Sequence, residues 1–322
     1  MKVSIIGCGL IGKKRALAIK DNDDILFLYD TDKKAAEKLS HEMKIKVASS
    51  IDEVLDSDSE IIIIATTHNK LSEISIKSLK HGKNILVEKP GGCNLKEIEN
   101  IKRISDEANK LVKVGFNHRF HPAFQKAKEL IPDLNTGRLM FIKASYGHGG
   151  RLNYEKEWRM NKSISGGGEL LDQGSHLMDL ASWFMGELKL EYAGLPTYFW
   201  NTDVEDNCFL ALSNDANKLA WLNASWTEWK NSFVFEIYYE KIKFKIDGLG
   251  GSYGKESLSC YTMSPSMGPP AIETWDFEST DISWEKEFNS FKDSIKYGKP
   301  ICGNIDDALN VMKLIETMYK KK

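Results

Sequence analysis

Short apolar runs alternate with amphipathic stretches over the first 120 residues of the chain. The apolar runs predict strands at 2–7, 24–30, 45–48, 60–66, 83–88 and 111–116. The stretches between them predict helices at 13–20, 32–42, 69–81 and 94–109. Asn94 is a predicted N-cap and Gly82 a predicted C-cap. Because helices that cross over a sheet join parallel strands, this order predicts a doubly wound α/β domain with its parallel sheet covered on both faces.

The pattern changes after His121 and Pro122, where a helix is predicted over 123–131. Segments rich in aromatic residues and isoleucine then predict strands at 139–147, 188–199, 206–213, 218–228, 232–247, 257–263 and 272–278. Their connections suit an antiparallel sheet. Two helices are predicted among and after these strands, at 169–184, between three glycines and Gly186, and at 306–319. We therefore predict two domains, an α/β domain over 1–120 and an α+β domain with a large, mostly antiparallel sheet over 121–322.

Composition and charge narrow the class of protein. The 322 residues carry a formal net charge of −2, spread along the chain, so no nucleic-acid partner is expected. The five cysteines include no C-x-x-C pair and the seven histidines show no ligand spacing, which argues against a metal site and a disulfide framework. The longest aliphatic run, 61–64, is too short for a membrane, and no cleavage site follows the apolar start. We expect a cytoplasmic protein with no membrane partner.

The first predicted strand leads directly into Gly7-Cys-Gly9-Leu-Ile-Gly12, and a helix follows. A G-x-G-x-x-G motif alone is weak evidence, but here the second strand ends at Asp30, at the spacing of an acid that binds a ribose. Gly7 allows a tight turn, Gly9 lets a pyrophosphate approach the backbone, and Gly12 lets the helix pack closely. The N–H groups at the helix N-terminus hold the phosphate charge. The motif therefore predicts a Rossmann domain that binds NAD or NADP.

Asp30 also predicts which cofactor is preferred. Its carboxylate is expected to bond the ribose hydroxyls and to repel a 2′-phosphate. Thr31 and Asp32 follow, and the nearest cations are Lys33 and Lys34, with no arginine to receive that phosphate. We therefore predict a preference for NAD over NADP.

Two further segments carry candidate catalytic groups. Lys89 follows the fifth predicted strand, at the end where open parallel sheets bind ligands; the alternative is an exposed lysine before a turn. Asp172 and His176 are four residues apart and are expected on one face of a helix. A histidine can exchange the proton of a substrate hydroxyl, and a carboxylate can orient it. The alternative for this pair is a structural hydrogen bond.

Other residues near these segments are less specific. Gly174 lies inside a predicted helix, where it costs roughly 1 kcal/mol relative to alanine, which indicates a close approach to the backbone. Arg159 could clamp a phosphate or carboxylate, or form a surface salt bridge. His118 and His121 flank Arg119 with no acid at ligand spacing, so we interpret both as structural.

In this order and spacing, the segments resemble the glucose–fructose oxidoreductase / inositol dehydrogenase (Gfo/Idh/MocA) family over nearly the whole chain. The matching segments are Gly7-Cys-Gly9-Leu-Ile-Gly12, Glu88-Lys89-Pro90, Gly115-Phe-Asn117-His-Arg119-Phe120, Trp158-Arg159 and Gly166-Gly-Gly-Glu-Leu-Leu-Asp172-Gln-Gly-Ser-His176-Leu-Met-Asp179. In that family the lysine and the Asp/His pair surround the substrate carbon that exchanges hydride with nicotinamide. The resemblance implies these catalytic roles for Lys89, Asp172 and His176.

The predicted site comprises two sets of residues. The cofactor set is Gly7, Gly9, Leu10, Ile11, Gly12, Asp30, Ala65, Thr66, His68, Glu88, Lys89, Asn117, Trp158 and Arg159. The substrate set is Lys89, Arg119, Arg151, Asp172 and His176. No metal is assigned.

The residues and the resemblance together predict an NAD-dependent dehydrogenase acting on a secondary alcohol or ketone of a sugar, inositol or sugar nucleotide. Either His176 or Lys89 carries the proton, and Asp172 fixes His176 or binds a neighbouring hydroxyl. Two alternatives stay open: a transhydrogenase that retains its cofactor and reduces a second sugar, and a non-catalytic NAD-binding regulator. The intact catalytic matches argue against the regulator.

The second predicted sheet also indicates an oligomer. The segment 233–239 is apolar on both alternating faces, as is much of 219–226. A sheet with only one covered face alternates more cleanly, and an exposed aromatic face usually marks an interface. The resemblance agrees, because this sheet is often buried between subunits in the family. We predict a homodimer or homotetramer through this sheet; helices on both faces are the alternative.

Overall fold

The computed structural model describes residues 1–19, 23–266, 268–278 and 280–321. Lys20, the last residue of the first predicted helix, lies outside the described residues. The chain forms two compact units, and each is described by itself. The first comprises Met1–Asn117, Ser163–Gly166 and Trp284–Leu309, and the second comprises His118–Lys162, Gly167–Ser283 and Asn310–Lys322.

The first unit contains a five-stranded parallel sheet. Its strands are β1 (Lys2–Ile6), β2 (Asp24–Tyr29), β3 (Ile61–Ile64), β4 (Asn84–Val87) and β5 (Val112–Val114). The helices between them are α1 (Leu10–Ile19), α2 (Lys33–Met43), α3 (Ile51–Leu55), α4 (His68–Lys80) and α5 (Leu95–Ala108). The order β2-β1-β3-β4-β5 confirms the predicted doubly wound sheet. The chain reverses direction across the sheet at β1, so the carboxyl ends of β1 and β3 lie side by side, where such sheets bind ligands.

The core of this unit follows from the apolar runs. All four isoleucines of β3 are fully buried, and each pairs in register with β1 and β4. Side chains buried on both faces are typical of a parallel sheet between two helical layers. Asn94 caps α5 by accepting from the Glu97 amide, as predicted.

The strand predicted at 45–48 is wrong. The chain leaves α2 at Lys44 in a left-handed conformation and enters α3 at the N-cap Ser50. Only one bridge, between Leu28 and Val47, fits in the interval. Lys89 therefore follows the fourth strand of the chain and not the fifth.

The second unit contains an eight-stranded sheet. Its strands are β6 (Leu139–Gly147), β7 (Lys189–Gly194), β8 (Asn207–Ser213), β9 (Leu219–Ser225), β10 (Ser232–Tyr239), β11 (Ile242–Asp247), β12 (Ser257–Thr262) and β13 (Ala271–Asp276). The order is β13-β12-β11-β10-β6-β9-β8-β7, with β6 and β9 parallel and the other pairs antiparallel. This confirms a mostly antiparallel sheet. The single strand predicted at 232–247 is a hairpin that turns at Glu240 and Lys241.

The remaining helices of the chain are α6 (Pro122–Leu130), α7 (Lys162–Ser165), α8 (Ser175–Met185), α9 (Ser283–Tyr297) and α10 (Ile305–Lys321). Helix α6 packs on β11 and β12, and α8 packs on β6 and β9. Burial alternates along β10, where Phe233, Phe235 and Ile237 face the interior. Among the described residues, no helix combines the length and apolar character that crossing a membrane requires.

Candidate active site

The glycine motif forms a tight turn between β1 and α1 in the first unit. Gly7 has a φ of +101°, which L side chains rarely adopt, and a Cβ there would lie 2.4 Å from the Ala65 carbonyl oxygen. A Cβ on Gly12 would lie 1.8 Å from the Gly7 carbonyl oxygen. Both positions require glycine because backbone meets backbone. The turn thereby places the start of α1 against the ends of β1 and β3.

Gly9 differs from the other two glycines. No described atom lies within 4 Å of a Cβ built at Gly9. Beside it, Leu10 begins α1 and is 68% exposed, and Ile11 is half-buried. The first N–H groups of a helix have no partner within the helix and carry partial positive charge. Open space beside such a helix start fits the pyrophosphate of a dinucleotide.

Asp30 closes the same turn from the end of β2. Its Oδ2 accepts from the Cys8 amide at 2.7 Å, and its Oδ1 accepts from the Asp32 amide at 2.9 Å. Burial and the charge of Asp30 raise the pKa of the Cys8 thiol to about 12. Cys8 is therefore a small packing residue with no reactive thiolate at neutral pH. The structure joins Asp30 to the glycine motif, as a ribose-binding acid requires.

Ala65 and Thr66 follow β3 and lie beside Gly7. The Ala65 amide donates to the Ile6 carbonyl oxygen at 2.8 Å. His68 begins α4 and is buried, with its Nδ1 2.8 Å from the Ser165 carbonyl oxygen. This bond anchors the 163–166 segment on the first unit. Contact of these side chains with a cofactor remains a prediction.

Glu88 and Lys89 follow β4. The Glu88 amide extends the sheet by donating to the Ile64 carbonyl oxygen at 2.9 Å. The Glu88 carboxylate accepts from Arg15 Nε of α1 at 2.6 Å, and Arg15 Nη1 donates to Glu287 of α9 at 2.5 Å. Burial raises the pKa of Glu88, and the Arg15 charge opposes that rise. This buried ion network ties the segment that carries Lys89 to the helix that follows the glycine motif.

Lys89 itself is half-buried in the first unit. Asn117 is buried at the end of the first segment of this unit, where the 3-10 helix Asn117–Phe120 begins. Asp172 and His176 lie in the second unit. The assignment of Glu88, Lys89 and Asn117 to the cofactor stays a prediction.

Gly167 and Gly168 precede the predicted catalytic segment, residues 170–179, and allow close packing inside the second unit. A Cβ on Gly167 would lie 2.0 Å from the Tyr319 hydroxyl, and a Cβ on Gly168 would lie 2.1 Å from the Glu205 carbonyl oxygen. The Glu205 carboxylate accepts from the amides of Gly168 and Leu170 and from the Tyr319 hydroxyl. Glu205 and Tyr319, which the sequence analysis does not single out, thus fix the start of the segment.

The segment does not begin as the predicted α-helix. Leu170–Gly174 is a π-helix, and the α-helix α8 starts at Ser175. The α-helical spacing from which Asp172 and His176 were predicted to share one face therefore does not apply to Asp172, which lies in the wider turn. Gly174 is explained in part, because Cys208 Sγ would lie 3.3 Å from a Cβ there. Single π turns inside helices are frequent at functional sites.

Asp172 is held by an arginine that the sequence analysis assigned to the cofactor. Arg159 Nε donates to Asp172 Oδ2 at 3.1 Å, and its guanidinium carbon lies 4.5 Å from the centre of the Trp158 ring. Glu157 contacts Arg159 and also pairs with the exposed Arg151. A chain of alternating charges therefore leads from Arg151 at the surface to Asp172.

His176 is buried at the start of α8, and its ring stacks on His118 with a centroid distance of 3.8 Å and an interplanar angle of 26°. His118 is predicted to be structural from the sequence, because no acid lies near it at ligand spacing. The signal in the sequence that could have indicated a role in the site is the position of His118 just after the last predicted strand of the parallel sheet. Arg119, the next residue, forms a bidentate, buried ion pair with Asp179. Contact between Arg119 and a substrate remains a prediction.

In the part of the chain that the structure describes, no cluster of three or more His, Cys, Asp or Glu residues could hold a metal ion.

Comparison with known proteins places this chain in a family. The model of the oxidoreductase family with an NAD-binding Rossmann fold (GFO/IDH/MocA) matches residues 1–116, and the model of the GFO/IDH/MocA C-terminal domain matches residues 124–245. An uncharacterized oxidoreductase of Streptococcus pneumoniae is 31% identical over 329 residues, which cover 93% of this chain and 81% of that protein. The chain belongs to the GFO/IDH/MocA family of oxidoreductases, which confirms the resemblance.

Two further comparisons cover almost the whole chain. The scyllo-inositol 2-dehydrogenase (NADP(+)) of Bacillus subtilis is 24% identical over 98% of this chain and 92% of its own length. A solved structure of levoglucosan dehydrogenase in complex with NADH and levoglucosan superposes with a TM-score of 0.90 at 20% identity, over 100% of this chain and 98% of that chain. The structural match supports the two-part fold.

Proposed function

We propose that this oxidoreductase uses NAD to oxidise a secondary alcohol of a sugar, an inositol or a sugar nucleotide, or to reduce the corresponding ketone. The observation that carries the proposal is the catalytic segment of the second unit. There a buried His176 stands four residues after Asp172, whose carboxylate is fixed by Arg159. The names of the inositol and levoglucosan dehydrogenases described above support a polyol or sugar as the substrate.

In the proposed reaction, the glycine motif and Asp30 would hold NAD, which would supply the acceptor for the hydride of the substrate carbon. His176 accepts the proton of the substrate hydroxyl as a general base. Lys89 donates a hydrogen bond to the same oxygen and stabilises negative charge that develops on it. The Asp172 carboxylate pairs with Arg159 and can also accept a hydrogen bond from a neighbouring hydroxyl or from His176. Kinetics of His176, Lys89 and Asp172 variants test this assignment and are argued in the Discussion.

Cofactor preference is the first prediction from this proposal. The names of the relatives do not decide the cofactor, because one includes NADP(+) and another includes NADH. The proposal of NAD therefore rests on Asp30. Its carboxylate is fixed by the Cys8 amide, and a 2′-phosphate beside it would meet like charge. We expect kcat/KM with NAD to exceed that with NADP by at least about tenfold, or about 1.4 kcal/mol.

Asp30→Ala should narrow this ratio, because it removes the repelling charge and a ribose acceptor together. Glu60→Ala, at the start of β3, is a suitable control and should leave the ratio unchanged. Higher kcat/KM with NADP in the wild-type protein would reject the preference.

We also propose that the chain forms a homodimer or homotetramer through the outer face of the eight-stranded sheet. A row of side chains crosses this face in register: Leu219 on β9, Phe141 on β6, Tyr238 on β10, Lys243 on β11, Tyr261 on β12 and Ile272 on β13. The Phe141 and Tyr238 rings stack at a centroid distance of 4.3 Å. Trp221 on the same face is 49% exposed in the single chain. Lys143, Glu236 and Lys245 lie on the same face, so the face is partly charged, and its aromatic part favours burial against a second copy.

Light scattering of the wild-type chain at micromolar concentration should give a mass of two or four chains. Trp221→Glu should shift the mass towards the monomer, because it places a charge on the proposed interface. Trp229→Glu is the matched control, since Trp229 is fully exposed in a loop away from this row. A monomeric wild-type chain, or the same mass shift in both variants, would count against the interface.

A further inference from the structure

Three buried histidines form a stack in the second unit, and the proposed mechanism uses only one of them. The ring of His118 lies flat on His176, and its other neighbour His121 lies edge-on at a centroid distance of 5.4 Å and an interplanar angle of 73°. All three side chains are buried. We call His176, His118 and His121 the histidine stack.

A carboxylate closes one end of the histidine stack. Glu256 Oε2 lies 2.9 Å from His121 Nδ1, and Glu256 Oε1 accepts from the Ala123 amide at 2.7 Å. Both groups are buried, so Glu256 fixes the position of the His121 ring at this end of the stack.

Tyr146 of β6 is a titratable group whose ring contacts both His118 and His176, and Tyr146 in turn contacts Tyr253. Asp172 lies four residues before His176 and pairs with Arg159, and Arg119, the residue after His118, pairs with Asp179. The ion pairs Arg159–Asp172 and Arg119–Asp179 balance two of the negative charges with positive ones. These neighbours are the same in variants that change only His118. The effect of the stack on His176 can therefore be measured as a difference between variants.

We propose that His118 is a positioning residue that fixes the ring plane of His176 and holds it in the neutral form. Two imidazoles in face-to-face contact cannot both be charged without strong repulsion at low effective dielectric. The flat contact also restricts rotation of the His176 ring. A neutral, oriented imidazole is the form that accepts a proton. The inference rests on the proposed role of His176 as proton carrier.

The test is an NMR titration of the full-length chain labelled with 15N-histidine, with the ring signals assigned by single substitutions. His118→Phe keeps a flat ring against His176 but cannot be charged, and it offers a π face to a His176 cation. We expect the measured pKa of His176 to rise by about one unit, a tenfold change in proton affinity. His118→Gln removes the ring and should raise this pKa in the same direction.

His41→Phe, on the exposed surface of α2, is the matched control and should leave the His176 titration unchanged. An unchanged His176 pKa in both folded His118 variants would overturn the inference. A different result would contradict the proposed function alone. If His118→Phe shifts the His176 pKa but His176→Ala retains wild-type turnover, the effect of His118 on His176 is supported and His176 is not the proton carrier.

Discussion

His176→Ala should lower kcat by roughly 100- to 10,000-fold, the usual contribution of a general acid–base group. This corresponds to a barrier higher by about 3 to 5 kcal/mol. Lys89→Ala should have an effect of the same order. The dissociation constant of NAD should change little in either variant, because the glycine motif and Asp30 are assigned to the adenosine and pyrophosphate. Steady-state kinetics and a separate NAD-binding titration measure the two quantities.

The pH dependence identifies which residue is the base. If His176 is the base, the rate of oxidation rises with pH through one ionisation, and this step is missing in His176→Ala. If Lys89 is the base, the step remains in that variant. Asp172→Asn should lower kcat less than either alanine substitution if Asp172 only orients His176. It should lower kcat by about as much if Asp172 binds the reacting sugar. Wild-type turnover in both alanine variants would reject the assignment of His176 and Lys89 as catalytic residues.

Gly12→Ala should disrupt both the fold of the first unit and the binding of NAD. The new Cβ would lie 1.8 Å from a backbone oxygen of Gly7, so no side-chain movement relieves the clash and α1 must move off the sheet. We expect the free energy of unfolding to fall by more than about 3 kcal/mol. Thermal or denaturant unfolding of the apoprotein measures this loss.

Gly9→Ala is the matched control for that substitution. Its Cβ would meet no described atom within 4 Å, so the apoprotein should keep nearly wild-type stability. The methyl group would nevertheless occupy the space that we assign to the pyrophosphate, so the affinity for NAD should fall. If Gly9→Ala and Gly12→Ala have the same effect on apoprotein stability, the packing argument for Gly12 is wrong.

Local patterns predicted most of the fold because each element is encoded by its own residues. The four consecutive isoleucines of β3 and the glycine turn before α1 are signals within a few residues of each other. Helix α9 was missed although Trp284, Phe288, Phe291 and Ile295 have helical spacing. Phe288 and Phe291 are buried in the core of the first unit, against strands far away in the sequence. The strand predicted at 45–48 was wrong because the flanking helices leave room for one β-bridge only.

The site was predicted in its residue types but not in its contacts. The Asp172–Arg159 pair joins neighbouring motifs, whereas the stack of His118 on His176 joins residues 58 positions apart. A contact between residues so far apart in the sequence produces no periodic pattern of hydrophobic positions. The π turn at Leu170–Gly174 was not predicted for a different reason. The spacing of Asp172 and His176 was interpreted with the period of an α-helix, and a π turn has a longer period.

The most direct test of the central claim is a screen of inositols, sugars and sugar nucleotides for NADH formation by the purified chain. We predict that at least one polyol or sugar with a free secondary hydroxyl yields NADH, and that His176→Ala yields it far more slowly at the same concentrations. Tight NAD binding with no NADH from any compound, or equal rates in the two proteins, would contradict the proposed dehydrogenase.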